Sequence, residues 1–334
     1  MKKIGLLLVV LLSVSCGKHG ALVKNRSSGG ALGTMYHITY ISDRQLDYQP
    51  EIDSVFAAIN HSMSTYIPGS DISKINDGDS TVVVDQMFRD VFELSKEVHD
   101  STEGYFDPTV GVLVDAWGFG PGKQITLDSA KVDSLLDYVG FEKVGITDDN
   151  RITKSDYRIR FDFNAVAKGY AIDRLAAMLD AKGIANYLVE VGGEIVAKGK
   201  NVMKEKPWVV GIDNPEGKDR SKPIVLLSLE NEALASSGNY RKFRIDTITG
   251  KKYVHTINPK TGYTKNSNVL GSSVIASNCA MADAYATAFM AMDLDDSIKL
   301  LVHEKDMEAF IVYLDEDGNV EEFMTDGFKR RLVE

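Results

Sequence analysis

Asp283 and Thr287 stand four residues apart in Ala282-Asp283-Ala284-Tyr285-Ala286-Thr287-Ala288. On a helix that spacing puts both on one face. A carboxylate and a hydroxyl are hard oxygen donors suited to Mg²⁺, and the small neighbours leave room for an ion and its waters. The same residues also fit a plainer arrangement, with Thr287 bonded to its own helix backbone and Asp283 facing solvent. A second stretch, Asp162-Phe163-Asn164-Ala165-Val166-Ala167-Lys168-Gly169-Tyr170, closes a strand on an aspartate and opens a helix near a lysine. Small residues at such a turn let backbone approach a ligand closely, a helix N-terminus favours phosphate, and the lysine adds a point charge. An ordinary capped turn with a solvated lysine fits equally well.

Two further segments have chemistry in reach. His255-Thr256-Ile257-Asn258-Pro259-Lys260-Thr261-Gly262 is a rigid loop after a strand. His255 there is placed to act as a general base or to serve as a structural histidine. Phe106-Asp107-Pro108-Thr109-Val110 leads into Trp117-Gly118-Phe119-Gly120-Pro121. That aromatic-glycine-aromatic turn suits stacking on a flat heterocycle, and a buried tryptophan beside a loop is the alternative.

The elements that must position these residues are mixed. Periodicity predicts strands over 35–41, 82–84, 158–163, 187–191, 194–198, 208–212 and 224–229. It predicts helices over 51–63, 86–101, 128–138, 168–182, 280–292 and 297–303. Gly183 sits where the cap of the 168–182 helix belongs. Strands over 241–246 and 252–257 flank a turn at Thr249-Gly250, and strands over 309–313 and 320–324 form a closing hairpin. Helices cluster early and strands late, with short separations. The pattern is α+β with a largely antiparallel sheet and packed helices.

Composition bounds the function. Lys2 and Lys3 precede an apolar run, Ile4 to Leu12, too short to span a bilayer. This reads as a secretory signal over residues 1–15. Ser13-Val14-Ser15-Cys16 then looks like a lipobox, with Cys16 lipidated after cleavage. Residues 16–30 would be the lipidated cysteine and a flexible tether, and 31–334 the domain. With Cys16 occupied, Cys279 has no intramolecular partner, so neither a disulfide framework nor a cysteine zinc cluster is expected. The formal charge is −10, or about −12 once Lys2 and Lys3 leave with the signal. That balance argues against nucleic acid and against charge-driven binding to anionic lipid. An anionic substrate would need a metal ion or oriented amides. Gly192-Gly193-Glu194 is not a dinucleotide fingerprint, GFGPGK at 118–123 lacks the P-loop hydroxyl, and Ser236-Ser237-Gly238 has no nucleophile elbow.

Taken together and in order, these segments resemble the ApbE family, the FAD:protein FMN transferases, also described as flavin-trafficking lipoproteins. The likeness runs from about Leu32 to the end of the chain. Besides the stretches above, it rests on Gly33-Thr34, Ser64-Thr65-Tyr66 with Ser70-Asp71-Ile72-Ser73 and Asn76, Val191-Gly192-Gly193 and Ser236-Ser237-Gly238. It implies a fold related to the T-fold. It also implies Mg²⁺ held by the Asp283 and Thr287 side chains and the Ala165 carbonyl. FAD, as substrate, would be lined by Leu32, Tyr66, Trp117, Gly118, Phe119, Asp162, Lys168 and Ile257. His255 is the nominated base, with Asp162 second.

The implied reaction moves FMN from FAD to a Ser or Thr hydroxyl of an exported flavoprotein, such as a subunit of a membrane redox complex, releasing AMP. FAD hydrolysis to FMN and AMP, or flavin carriage without chemistry, are the alternatives. Tyr66 points toward transfer, because hydrolytic members differ near it. The implied location is a lipid-anchored position on the periplasmic side, with the inner membrane expected. Two positions depart from the family: Leu32 replaces the usual methionine, a nearly volume-conserving change, and Ala286 stands where some relatives carry a second carboxylate.

Overall fold

The computed structural model describes residues 21–214, 223–239, 243–245, 252–265 and 268–333. The expected signal, Cys16 and the Thr249-Gly250 turn lie outside these. The chain enters through a hairpin of β1 (Val23–Ala31) and β2 (Thr34–Ser42). Its two-residue turn, Leu32-Gly33, has φ of +51° and +74°, the geometry that matches strand twist.

Residues 23–30 are therefore not tether, as composition suggested, but an edge strand of the main sheet. Their alternation has the period of a strand, yet the inward residues include Asn25 and Ser27 rather than apolar ones. Asn25 is satisfied by Ser42 Oγ at 2.7 Å and by the Leu46 N–H at 2.8 Å. A polar, satisfied face of this kind carries no hydrophobic signal.

Helices α1 (Gln49–Met63), α2 (Asp71–Asn76), α3 (Gln86–Ser101), α4 (Gly111–Trp117) and α5 (Ser129–Leu136) follow. A short hairpin of β3 (Val144–Ile146) and β4 (Ile152–Lys154) precedes α6 (Ala167–Ala181). Next come β5 (Asn186–Val191), β6 (Glu194–Lys198), β7 (Trp208–Asp213), β8 (Pro223–Leu229) and β9 (Glu232–Gly238). The chain continues through β10 (Phe243–Ile245), β11 (Lys252–Val254), β12 (Val269–Ala276), α7 (Cys279–Ala291) and α8 (Leu294–His303). It closes with β13 (Glu308–Leu314), β14 (Val320–Met324) and α9 (Asp326–Lys329).

The main sheet runs β1-β2-β5-β6-β9-β12-β13-β14, with every neighbouring pair antiparallel. The α+β expectation holds. One face packs on α6 and α7. The other is covered by the β7–β8 ribbon and α9, through Trp208, Val210, Leu227, Leu229 and Phe328. The alanine-rich α7 is buried almost all round, as expected of a helix with no polar stripe. Among the described residues no helix is long and apolar enough to cross a membrane.

Two expected strands are corrected. Residues 82–84 make only a single bridge, Val83 to Arg151. The segment 158–163 stays outside the main sheet and meets Val110 through one parallel bridge at Arg160. Asn76 takes the place of a neighbouring strand there. Its Nδ2 donates to Phe161 O at 2.8 Å and its Oδ1 accepts the Phe161 N–H at 2.7 Å. Apolar alternation marks burial on one side and cannot tell a side-chain partner from a strand.

Candidate active site

The crossing of α6 and α7 organises the site. A Cβ at Gly169 would lie 2.4 Å from Cys279 O, so only glycine lets the two helices meet this closely. Asp283 reaches across the crossing, and its Oδ2 accepts the Gly169 N–H at 3.0 Å. Gly169 is the third residue of α6, so its N–H is one of the donors that a helix start leaves without a partner in the helix, and Asp283 satisfies it. A turn further along α6, Asp173 accepts from the Cys279 and Ala280 N–H groups at 2.8 and 2.9 Å. These are orphan donors at the start of α7, and Asn278 satisfies another, from Met281, at 2.9 Å. Two contacts spaced by about a turn thus fix α7 against α6.

Charge is concentrated where they meet. Lys168 Nζ lies 2.8 Å from Glu194 Oε1, and the Glu194 side chain is 2% exposed. Burial lowers the Lys168 amine, but Asp283 and Glu194 outweigh it and hold the group above the ordinary lysine range. Burial pushes the Asp283 carboxyl well above the usual carboxylate range, Lys168 pulls it back, and Glu194 adds to the rise. Thr287, one turn on from Asp283, faces β9, and its Oγ1 lies 3.2 Å from Ser237 Oγ. Among the described residues no group of three or more His, Cys, Asp or Glu could hold a metal ion. A cation here would rely on Asp283, Thr287, a backbone carbonyl and the substrate's own oxygens. That is the donor set Mg²⁺ accepts when it binds with a phosphate.

Leu32 is half-buried in the β1–β2 turn, against the cores on both sides of α6. The Gly192-Gly193 turn that precedes Glu194 lies beside it, the Gly192 N–H donating to Met35 O at 2.9 Å. The other expected residues form two neighbouring groups. Tyr66 is 58% exposed. Its partial burial and the nearby Asp162 and Asp115 charges raise its phenol. Asp162 is anchored by its N–H to Pro108 O at 2.7 Å and by its Oδ1 to the Asn164 N–H at 2.8 Å.

Trp117 is buried at the end of α4. Its indole N–H donates to Gly262 O at 2.9 Å, and it packs in the cluster that holds Ile257. The tryptophan thereby fastens the loop from His255 to Gly262 onto α4. Gly118 is the left-handed cap of α4, and Phe119 packs against the same cluster. His255 is half-buried two residues before Ile257. Asp107, from the Phe106-Asp107-Pro108 motif, is a structural group. It accepts from the Thr109 N–H and hydroxyl at 2.8 and 2.6 Å and from the Phe141 N–H at 3.1 Å.

Sequence reasoning assigned no role to Glu194, Asp173 or Ser237. Glu194 and Ser237 sit in or beside glycine-containing motifs, a signal that could have marked them. Asp173 is a polar residue beside the apolar stripe of α6, on the face of Gly169, one turn away.

The molecule is thus an α+β protein whose oxygen donors and half-buried lysine converge where two helices cross at a sheet end. The ApbE family model matches residues 32–311, and the chain belongs to the ApbE family. A Vibrio cholerae relative named FAD:protein FMN transferase is 31% identical over 328 residues, covering 96% of each chain. A Haemophilus influenzae relative of the same name is 30% identical, covering 88% of this chain and 87% of the relative. The solved structure described as flavin transferase ApbE from Vibrio cholerae superposes with a TM-score of 0.81 at 30% identity, over 93% of this chain and 100% of that one.

Proposed function

We propose that this protein transfers FMN from FAD to a Ser or Thr hydroxyl of an exported acceptor protein and releases AMP, with Mg²⁺ as cofactor. The observation that carries the reading is the buried Asp283 carboxylate of α7 held by the Gly169 N–H at the start of α6. Thr287 lies one turn further along α7, and Lys168 directly precedes Gly169 in α6, which supports the reading. Asp283, Thr287 and Ala165 O would hold the cation. Bound there, it would offset charge growing on the diphosphate oxygens.

The chain's residues account for the rest. The acceptor oxygen forms a bond to the FMN phosphorus, the bond from that phosphorus to the AMP oxygen breaks, and the hydroxyl proton must leave. His255 is our candidate to take that proton, with Asp162 second. Lys168, held by Glu194, would anchor a phosphate oxygen or a polar edge of the flavin. Tyr66, Trp117, Gly118, Phe119 and Ile257 would line the flavin side, with Leu32 as a wall. The basic start, short apolar run and Cys16 support export as a lipoprotein on the periplasmic side, within reach of a membrane redox complex.

The test is incubation of the purified protein with FAD, Mg²⁺ and a candidate acceptor, read by mass. An acceptor carrying FMN is expected. AMP and free FMN without adduct would identify a hydrolase, and tight FAD binding without turnover a carrier. Asp283→Ala should lower turnover by at least a hundredfold. Full turnover of that variant in EDTA would remove the metal from the scheme.

A further inference from the structure

A threonine hydroxyl has one proton and two lone pairs. To offer a lone pair to a cation, it must place its proton elsewhere. Thr287 sits on α7 with Ser237 Oγ of β9 at 3.2 Å. Ser237 accepts that hydrogen bond most firmly when its own hydroxyl is turned toward a further acceptor. The antiparallel ladder supplies one, since Ser237 pairs directly with Ser272 of β12, and paired residues share a face of the sheet. Ser272 is 1% exposed, and its hydroxyl has no hydrogen-bond partner among the described residues. A buried hydroxyl without a partner is costly. Rotation of Ser272 about its Cα–Cβ bond would let its oxygen accept from Ser237, giving the buried hydroxyl a partner. Ala286, just before Thr287, offers no carboxylate to share the work.

We propose that Ser237 is a positioning residue for the cation. Its oxygen accepts a hydrogen bond from the Thr287 hydroxyl, its own hydroxyl donates to Ser272, and a Thr287 lone pair is thereby aimed at the metal. The inference rests on the Mg²⁺ reading above. Outer-shell partners of metal ligands commonly contribute ten- to a hundredfold in affinity.

The experiment measures Mg²⁺ binding to the whole protein by calorimetry and by the Mg²⁺-induced shift in melting temperature, alongside the Mg²⁺ dependence of turnover. Ser237→Ala should weaken Mg²⁺ binding about tenfold. It should raise the Mg²⁺ concentration for half-maximal turnover while leaving the melting temperature of the metal-free protein unchanged. Ser237→Thr, which keeps the hydroxyl, should bind within about twofold of wild type, and Ser272→Ala should show a smaller loss than Ser237→Ala. A purely structural serine would lower the metal-free melting temperature and leave the Mg²⁺ shift intact, which would overturn the proposal. So would wild-type affinity in Ser237→Ala when Thr287→Ala has lost it. If wild type itself shows no Mg²⁺ binding, with FAD present or absent, the cation reading fails first and this proposal with it.

Discussion

At the scale of single residues, buried polar side chains hold the loops that carry the site. Asn76 replaces a strand partner for Phe161, one residue before Asp162. Asp107 ties the loop before α4 to the turn at Phe141. Half-buried Lys154 plays the same part. Its Nζ donates to the carbonyls of Ile75, Tyr157 and Ile159 at 2.7, 3.1 and 3.0 Å. Burial, with nearby Arg160, lowers its amine to about 8. The unfolded chain still binds this proton between about pH 8 and the ordinary lysine range near 10.5. In that interval the unfolded state holds more protons than the native one, so this group makes stability rise with pH. Denaturant unfolding from pH 7.5 to 10 should show wild type gaining on Lys154→Met as pH rises. A constant difference would mean that the amine is not depressed.

At the scale of elements, the decisive contact is α6 on α7. Alanine at Gly169 would bring a methyl to within 2.4 Å of the Cys279 carbonyl, a backbone atom that cannot rotate aside. The helices would have to separate. Overpacking of this kind costs about 2 kcal/mol. Gly169→Ala should therefore lose about that much unfolding free energy in a denaturant titration. It should lose turnover beyond what its folded fraction explains, because Asp283 is held by the Gly169 N–H. Wild-type turnover in a destabilised Gly169→Ala protein would show that this crossing does not set the site. The glycine and the helix were legible in the sequence. Their contact was not, since the Cys279 carbonyl is 110 residues away along the chain.

At the scale of the whole molecule, the sheet is a platform and the site lies at one end of it. The turns at Leu32-Gly33 and Gly192-Gly193, the β9 end at Ser236-Ser237-Gly238 and the start of β12 all fall at that end. The described part contains no helix long and apolar enough to cross a membrane, and we propose that a lipid at Cys16 attaches the protein. Cys16→Ser should move the protein from the membrane fraction to the soluble periplasmic fraction without loss of turnover in solution. Continued membrane recovery of that variant would show that Cys16 is not the anchor.

The amino-acid order alone determined the α+β class, most helices, and the pairing of Asp283 with Thr287, because these follow from local periodicity within a few turns. It also carried the family likeness, through motifs each contained in a short stretch. Tertiary structure decided the rest: that 23–31 is an edge strand, that 158–163 stays out of the sheet, and that Asp173, Glu194 and Ser237 stand behind the expected residues. Each of these depends on a hydrogen bond or close approach between segments far apart in the chain. Local hydrophobic pattern does not encode which distant partner a polar group will meet.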